Sequence, residues 1–356
     1  MADRAYLSDP DPEFAELWTK VQGFYPTPGT ITVASQRHAM ASIVIPRVMA
    51  TLQPSLPPEF SYRINEDTVP VDGAKIAVRC IQPVPQDGES PRFPLLVWLH
   101  GGGWISGNLD FDDFYLRILS VELRVCIVNV DYRLAPEHPF PTGLNDCYAA
   151  LKWSADNASK LSASPSRGFI IAGASGGAHF AAAVAHRARD DTFFDSRKLT
   201  GHILQVPSLV HPQAHPEQYK AELLSLEQCK DAPVVGRTSL EFFFGVFSHS
   251  CPLPSLIILN MTDCLQADPF DLQLSPLLLP HENLPPLYIQ VAGFDPLRDE
   301  GLLYERLLRE CGVRTKLDVY PGVPHAFHAS FPQLNISKKW EVDIRTGIRW
   351  LLAVKA

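Results

Sequence analysis

The chain reads as an α/β protein built on a mostly parallel, eight-stranded sheet with helices on both faces. Three observations predict this. From about residue 60 to the end, short apolar β-rich runs alternate with helical stretches, the pattern of strand–helix–strand units. The first two runs follow one another with no helix between them, so the sheet starts antiparallel. Two later runs end directly in glycine-rich turns, at 100–103 and 173–177, where ligand sites of open α/β sheets collect. At 356 residues and 46% hydrophobic content, one decorated domain is expected rather than two.

Residues 11–52 carry helical periodicity, in Phe14, Leu17 and Val21 and then Ile43, Val44, Val48 and Leu52. Pro54, Pro57 and Pro58 end it. Strands are predicted near 62–69, 75–82, 93–100, 125–132, 168–174, 201–207, 287–293 and 315–320. Helices are predicted near 110–122, 142–161, 177–189, 297–311 and 336–354. The runs 93–99 and 168–172 are continuously apolar, as strands buried on both faces are. Residues 211–270 break the alternation with prolines and an aromatic cluster, Phe242, Phe243, Phe244 and Phe247. The expected partition is N-terminal helices over 1–58, a core over 59–210 and 271–356, and an insertion over 211–270.

The turn Gly173-Ala174-Ser175-Gly176-Gly177 joins an apolar run to an alanine-rich helical stretch, with a serine at its apex. In a G-x-S-x-G bend the glycines sit where a side chain would collide with the adjoining strand and helix, and the hydroxyl points outward. Such turns also arise where a helix merely packs closely on a strand or binds phosphate, so the order of the remaining parts decides. Upstream, His100, Gly101, Gly102, Gly103 and Trp104 follow a buried strand. Three consecutive glycines are costly in chain entropy unless backbone N–H groups must approach a ligand. Donors aimed at the oxyanion of a tetrahedral intermediate are worth roughly 3 to 4 kcal/mol each. Gly102, Gly103 and Gly176 are the candidate donors.

Downstream, Asp295 closes a β-rich run and is followed by proline. Asp299 and Glu300 are its rivals as the acid, although their position inside a helix suits capping or surface pairing. His325, in the loop after the next strand, is the candidate base, with Nδ1–H toward the acid and Nε2 toward the serine. His328, three residues on, is its rival among 12 histidines.

These motifs resemble those of the hormone-sensitive-lipase group of α/β-hydrolases, the family IV esterases. The matching pieces are His100 to Trp104, the segment 131–141 (Asp131, Tyr132, Arg133, Leu134, Ala135, Pro136, Glu137 and on to Pro141), the Ser175 turn, 295–301 and His325-Ala326-Phe327. The resemblance implies an α/β-hydrolase fold with a helical cap from residues 1–58 and 211–270. It implies a Ser175, Asp295 and His325 triad, an oxyanion hole from the glycine loop, and hydrolysis of carboxylic esters without metal or organic cofactor. His100, Gly101 and Glu137 take supporting roles; Arg133 and Glu137 are expected to buttress the glycine loop through buried hydrogen bonds. The phenylalanines of 242–247 either pack within the cap or line the acyl pocket. The chain departs from the family in having Gly176 after the serine, Ala178 at a later glycine position and His179 for the commoner asparagine. Its texture is similar to fungal members of polyketide pathways, which cleave acetate esters or release a thioester from an acyl carrier protein. Three readings follow: a serine carboxylesterase on a small-molecule ester, a thiohydrolase, and a ligand-binding protein of the same fold without turnover.

A net charge of −8 argues against nucleic acid or an anionic membrane surface as partner. No run reaches the 18 or so apolar residues of a membrane span. The acidic start lacks the pattern of a signal peptide. The seven cysteines (80, 126, 147, 229, 251, 264 and 311) are odd in number, scattered and without zinc spacing. Together these predict a cytoplasmic protein with reduced thiols.

Overall fold

The computed structural model of the chain describes residues 4–24, 31–248 and 268–354. Eight strands form one sheet: β1 (Tyr62–Val71), β2 (Ala74–Pro83), β3 (Leu95–Leu99), β4 (Cys126–Val130), β5 (Phe169–Ala174), β6 (Gly201–Gln205), β7 (Leu287–Phe294) and β8 (Thr315–Pro324). Their spatial order is β1-β2-β4-β3-β5-β6-β7-β8. β1 to β2 and β2 to β4 are antiparallel, and every later pair is parallel. The predicted sheet is therefore the observed one, strand for strand.

Alternation along the central strands sorts side chains to two faces. Leu95, Val97 and Leu99 of β3, with Phe169 and Ile171 of β5, pack toward the helices Thr142–Asp156, Gly176–Asp190 and Arg298–Glu310. Leu96 and Trp98, with Ile170 and Ala172, face the helices Asp113–Leu123 and Asn335–Ala353. Both faces of the central strands are buried, which is why β3 to β7 show no regular polar alternation in sequence.

Before the sheet, helices Pro12–Val21, Val33–Ala39 and Ile45–Leu52 follow one another, the last two joined by a π-helical turn at Met40–Val44. Pro46 has no N–H to return to the carbonyl four residues back, and the helix widens just ahead of it. Within 211–270, a short helix Ser225–Gln228 precedes Arg237–Ser248. Cys251, Cys264 and part of that insertion lie outside the described residues, as does the side chain of Phe247. The other five cysteines are free thiols. Among the described residues no helix is long and apolar enough to cross a membrane.

Candidate active site

Ser175 stands between β5 and the helix Gly176–Asp190 with φ 52° and ψ −117°. A non-glycine residue held there stores about 1–3 kcal/mol of backbone strain. The surrounding space explains the glycines. A Cβ on Gly173 would lie 2.4 Å from the Gly177 carbonyl oxygen, and one on Gly177 would lie 2.1 Å from the Leu99 carbonyl oxygen. The Ser175 N–H donates to the Gln205 carbonyl at 2.8 Å, tying the bend to β6.

Asp295 follows β7 and His325 follows β8, on neighbouring parallel strands. His325 Nδ1 lies 2.7 Å from Asp295 Oδ2, and His325 Nε2 lies 2.9 Å from Ser175 Oγ. A carboxylate accepts, so Nδ1 carries the proton and the Nε2 lone pair meets the serine hydroxyl. Asp295 Oδ1 accepts the Leu297 N–H at 2.9 Å, which fixes the carboxylate plane. Both side chains are buried, at 1% and 3% exposure.

The rivals are engaged elsewhere. Asp299 accepts from the Leu224 and Ser225 N–H groups at 2.9 and 2.7 Å and pairs with Arg298 at 2.9 Å. Glu300 accepts the Leu209 N–H at 2.6 Å, and burial pushes its carboxyl well above the usual range. His328 stacks on Trp340 with ring centroids 4.3 Å apart, and burial lowers it to about 3.

In the glycine loop, Gly102 and Gly103 have φ values of 130° and 62°. The Gly102 carbonyl accepts from Ser106 N–H and Oγ at 3.1 and 2.8 Å, which turns the peptide units. The N–H groups of Gly102, Gly103 and Gly176 make no hydrogen bond among the described residues, and all three residues line one cavity with Ser175 and His325. Gly101 packs against the serine turn, where a Cβ would come within 3.2 Å of the Ala174 carbonyl. His100 is buried, donates Nδ1–H to the Gly101 carbonyl at 2.8 Å and stacks on Tyr132 at 4.3 Å. Burial lowers it to about 4, so it is neutral.

Two supporting residues need correction. Arg133 holds Asp146 with two side-chain bonds of 2.8 and 2.7 Å and, among the described residues, makes no side-chain hydrogen bond to the glycine loop. Glu137 is more than half exposed, with a side-chain exposure of 56%. Among the described residues it is linked to the loop through Arg37, whose guanidinium grips Glu137 at 2.7 and 2.6 Å and donates to the Ile105 carbonyl at 2.8 Å. Charged residues beside a motif pair with whatever the fold brings near, and sequence does not reveal that Arg37 arrives there.

His179 has a defined task. The Trp104 indole donates to its Nδ1 at 3.1 Å, and its Nε2–H donates to the Gln273 carbonyl at 3.0 Å. Burial lowers it to about 4, consistent with the neutral ring these bonds require.

The loops carrying the acid and the base are overlaid by the first described residues. A Cβ on Gly293 would meet the Leu7 carbonyl oxygen at 2.3 Å, and one on Gly322 would meet the Asp11 nitrogen at 2.3 Å. The Asp11 N–H donates to the Gly322 carbonyl at 3.0 Å, and Arg298 bridges the Ser8 hydroxyl at 2.7 Å and the Gly293 carbonyl at 3.2 Å.

The cavity over Ser175 measures about 470 Å³. Met40, Val44, Val48 and Leu52 line it from the N-terminal helices, and Leu240 and Phe243 from the helix Arg237–Ser248. Of the two roles open to the phenylalanines, Phe243 takes the pocket and lies against Gly103, where a Cβ would come within 2.8 Å of its ring. Phe244 packs on Trp104 at 5.0 Å. Asp112, Tyr115 and Gln205 also open onto the cavity; nothing in their sequence context marks them. Among the described residues no cluster of His, Cys, Asp and Glu could hold a metal ion.

Residues 96–329 match the α/β hydrolase fold family. The chain is 36% identical over 350 residues to an AB hydrolase superfamily protein of Schizosaccharomyces pombe, covering 96% of this chain and 94% of that one. It is 33% identical over 303 residues to a versiconal hemiacetal acetate esterase of Dothistroma septosporum, covering 85% of each. A crystal structure of vibralactone cyclase superposes with a TM-score of 0.89 at 41% identity, covering 99% of this chain and 97% of that one.

Proposed function

The chain belongs to the hormone-sensitive-lipase-like group of α/β hydrolases, and on that footing we propose that it is a serine carboxylesterase acting through an acyl-enzyme on a small-molecule ester. The observation that carries the proposal is the unbroken chain from Asp295 through His325 to Ser175, with links of 2.7 and 2.9 Å. His325, oriented by Asp295, takes the proton of Ser175 as its oxygen attacks the ester carbonyl. The N–H groups of Gly102, Gly103 and Gly176 hold the developing oxyanion, having no competing acceptor among the described residues to leave. The alcohol departs with the proton from His325. Water activated by the same ring then attacks the acyl-enzyme, releases the acid and restores the serine. The helices of residues 1–58 and the insertion at 211–270 act as the cap, since Met40, Val44 and Phe243 wall the approach to Ser175.

A fluorophosphonate probe tests the reading directly. It should label the protein, label Ser175→Ala not at all, and compete with p-nitrophenyl butyrate, which the unsubstituted protein hydrolyses. Folded protein that neither labels nor turns over would return the fold to its ligand-binding alternative.

A second reading differs only in the acceptor of the acyl group. The 41% identity over 99% of the chain to a protein named as a cyclase favours it. A hydroxyl of the substrate itself would replace water and close a ring. The thiohydrolase reading differs instead in the leaving group. Mass spectrometry of products separates the first two, since hydrolysis adds one water and ring closure does not. Release of acid from a carrier-protein thioester faster than from a p-nitrophenyl ester would favour the third.

A further inference from the structure

The cavity holds polar groups that the acyl-transfer chemistry leaves idle. Gln205 ends β6 beside the serine turn, is 1% exposed, and faces the cavity with Tyr115 and Asp112. Its orientation can be traced inward from the protein surface. Gln290 Nε2 donates to the Trp340 carbonyl at 3.3 Å and to the Tyr320 oxygen at 2.7 Å, while the Tyr320 hydroxyl donates to Asp343 at 2.8 Å. A carbonyl only accepts, so Gln290 must turn its Oε1 toward Gln205. Gln205 answers with Nε2 at 2.8 Å, and its second amide hydrogen reaches the Tyr115 oxygen at 3.5 Å.

Three groups are left over. Among the described residues Gln205 Oε1 meets no donor and the Tyr115 O–H meets no acceptor. Asp112 Oδ2 takes the Trp98 indole N–H at 2.7 Å, and its Oδ1 takes no hydrogen bond from the described residues. Burial pushes the Asp112 carboxyl up to about 6. Met40, Val44, Val48, Leu52 and Leu240 supply hydrocarbon lining to the same cavity. A donor and two acceptors thus open onto the same cavity for a ligand to answer.

We propose that Tyr115, Gln205 and Asp112 form a hydroxyl-recognition subsite, selecting esters that carry a free hydroxyl besides the scissile bond. A hydroxyl both accepts from the Tyr115 O–H and donates to Gln205 Oε1 or Asp112. A carboxylate would face two acceptors, and an ammonium would leave the tyrosine proton unanswered. That the ligand is an ester rests on the esterase reading above; the preference for a hydroxyl does not.

The test is calorimetric titration of Ser175→Ala, which binds without turnover, in two arms. One compares methyl hexanoate with its ω-hydroxy counterpart, placing the hydroxyl on the acyl side. The other compares hexyl acetate with the monoacetate of hexanediol, placing it on the alcohol side. In one arm the hydroxylated ester should bind about tenfold more tightly, the worth of about 1.4 kcal/mol. Adding Tyr115→Phe or Gln205→Leu should bring the two esters within about twofold. The ratio is read within each protein, so a general loss of affinity cancels, and the phenylalanine variant keeps the ring packed on Trp98. Equal affinities in both arms, or a preference that survives both substitutions, overturns the subsite. Turnover of the same esters by the unsubstituted protein is scored separately: release of acid from none of them overturns the esterase reading while the binding ratio still judges the subsite.

Discussion

Asp295→Asn tests the assignment of the acid, and the structure dictates how it should fail. Asp295 Oδ1 already accepts the Leu297 N–H at 2.9 Å. The asparagine oxygen must keep that bond, because an NH₂ turned toward Leu297 would leave a buried N–H facing another. The amide nitrogen is then 2.7 Å from His325 Nδ1, where it donates. Nδ1 must accept, so the ring proton moves to Nε2 and points at Ser175 Oγ, 2.9 Å away. A nitrogen carrying a proton cannot take one from the serine. Loss of the correct tautomer in a serine triad lowers kcat about 10⁴-fold, equivalent to about 5.4 kcal/mol at 1.36 kcal/mol per decade. The assay is steady-state hydrolysis of p-nitrophenyl butyrate with the rate of fluorophosphonate labelling, each beside a thermal melt. Both rates should fall together while Tm stays within a few degrees, since the swap is isosteric. A kcat within tenfold of the unsubstituted protein would refute the tautomer reasoning and return Asp299 and Glu300 to consideration.

Gly177→Ala should fail in folding before it fails in chemistry. A Cβ 2.1 Å from the Leu99 carbonyl and 2.4 Å from the His100 carbonyl forces β3 and the serine turn apart, at a cost of about 1–3 kcal/mol or more, read as a lowered urea midpoint; an unchanged midpoint would show that the turn relaxes freely. Stability should also fall as the pH drops from 6.5 toward 4. His100, His179, His186, His202, His211, His281 and His328 are all lowered by burial. Each is neutral when folded and protonates when unfolded below 6.5, so each withdraws up to about 1.4 kcal/mol per pH unit until its own folded value is reached. The raised carboxyls of Asp112, Asp131, Glu300 and Glu341 act oppositely, gaining stability as pH falls, but are fewer. Urea midpoints at pH 7 and pH 5 measure the balance, and a higher midpoint at pH 5 would contradict it.

The sheet was legible because each central strand is apolar on both faces and bounded by glycine, proline or a helix signal. Ser175, Asp295 and His325 were legible for a related reason. Parallel strands deliver their carboxyl ends to one edge, so residues just past β5, β7 and β8 had to be near one another. Side chains whose partners lie on distant segments were not legible. Arg37 reaches Ile105 and Glu137 across some seventy and one hundred residues, and no local pattern announces either bond. Arg133 sat beside the right motif, yet Asp146 on the following helix captured it. Gln205 looked like any strand end until the amide chain through Gln290 and Tyr320 fixed which of its atoms was spare.

The overlay of residues 7–11 on Gly293 and Gly322 makes the two halves of the catalytic apparatus unequal in robustness. The nucleophile and the glycine loop are held from the middle of the sheet, by the β3–β5 register that pairs Leu99 with Gly173. The acid and base stand at its margin, on β7 and the border strand β8, beneath a thin strap of backbone held by a few hydrogen bonds, the buried Leu7 side chain and the Arg4–Asp299 pair. Nicking or peeling that strap would leave a folded protein with an intact serine and an unsteady base. Turnover would thus vanish ahead of any global unfolding signal, and the amides around 322 would exchange with solvent sooner than those around 173.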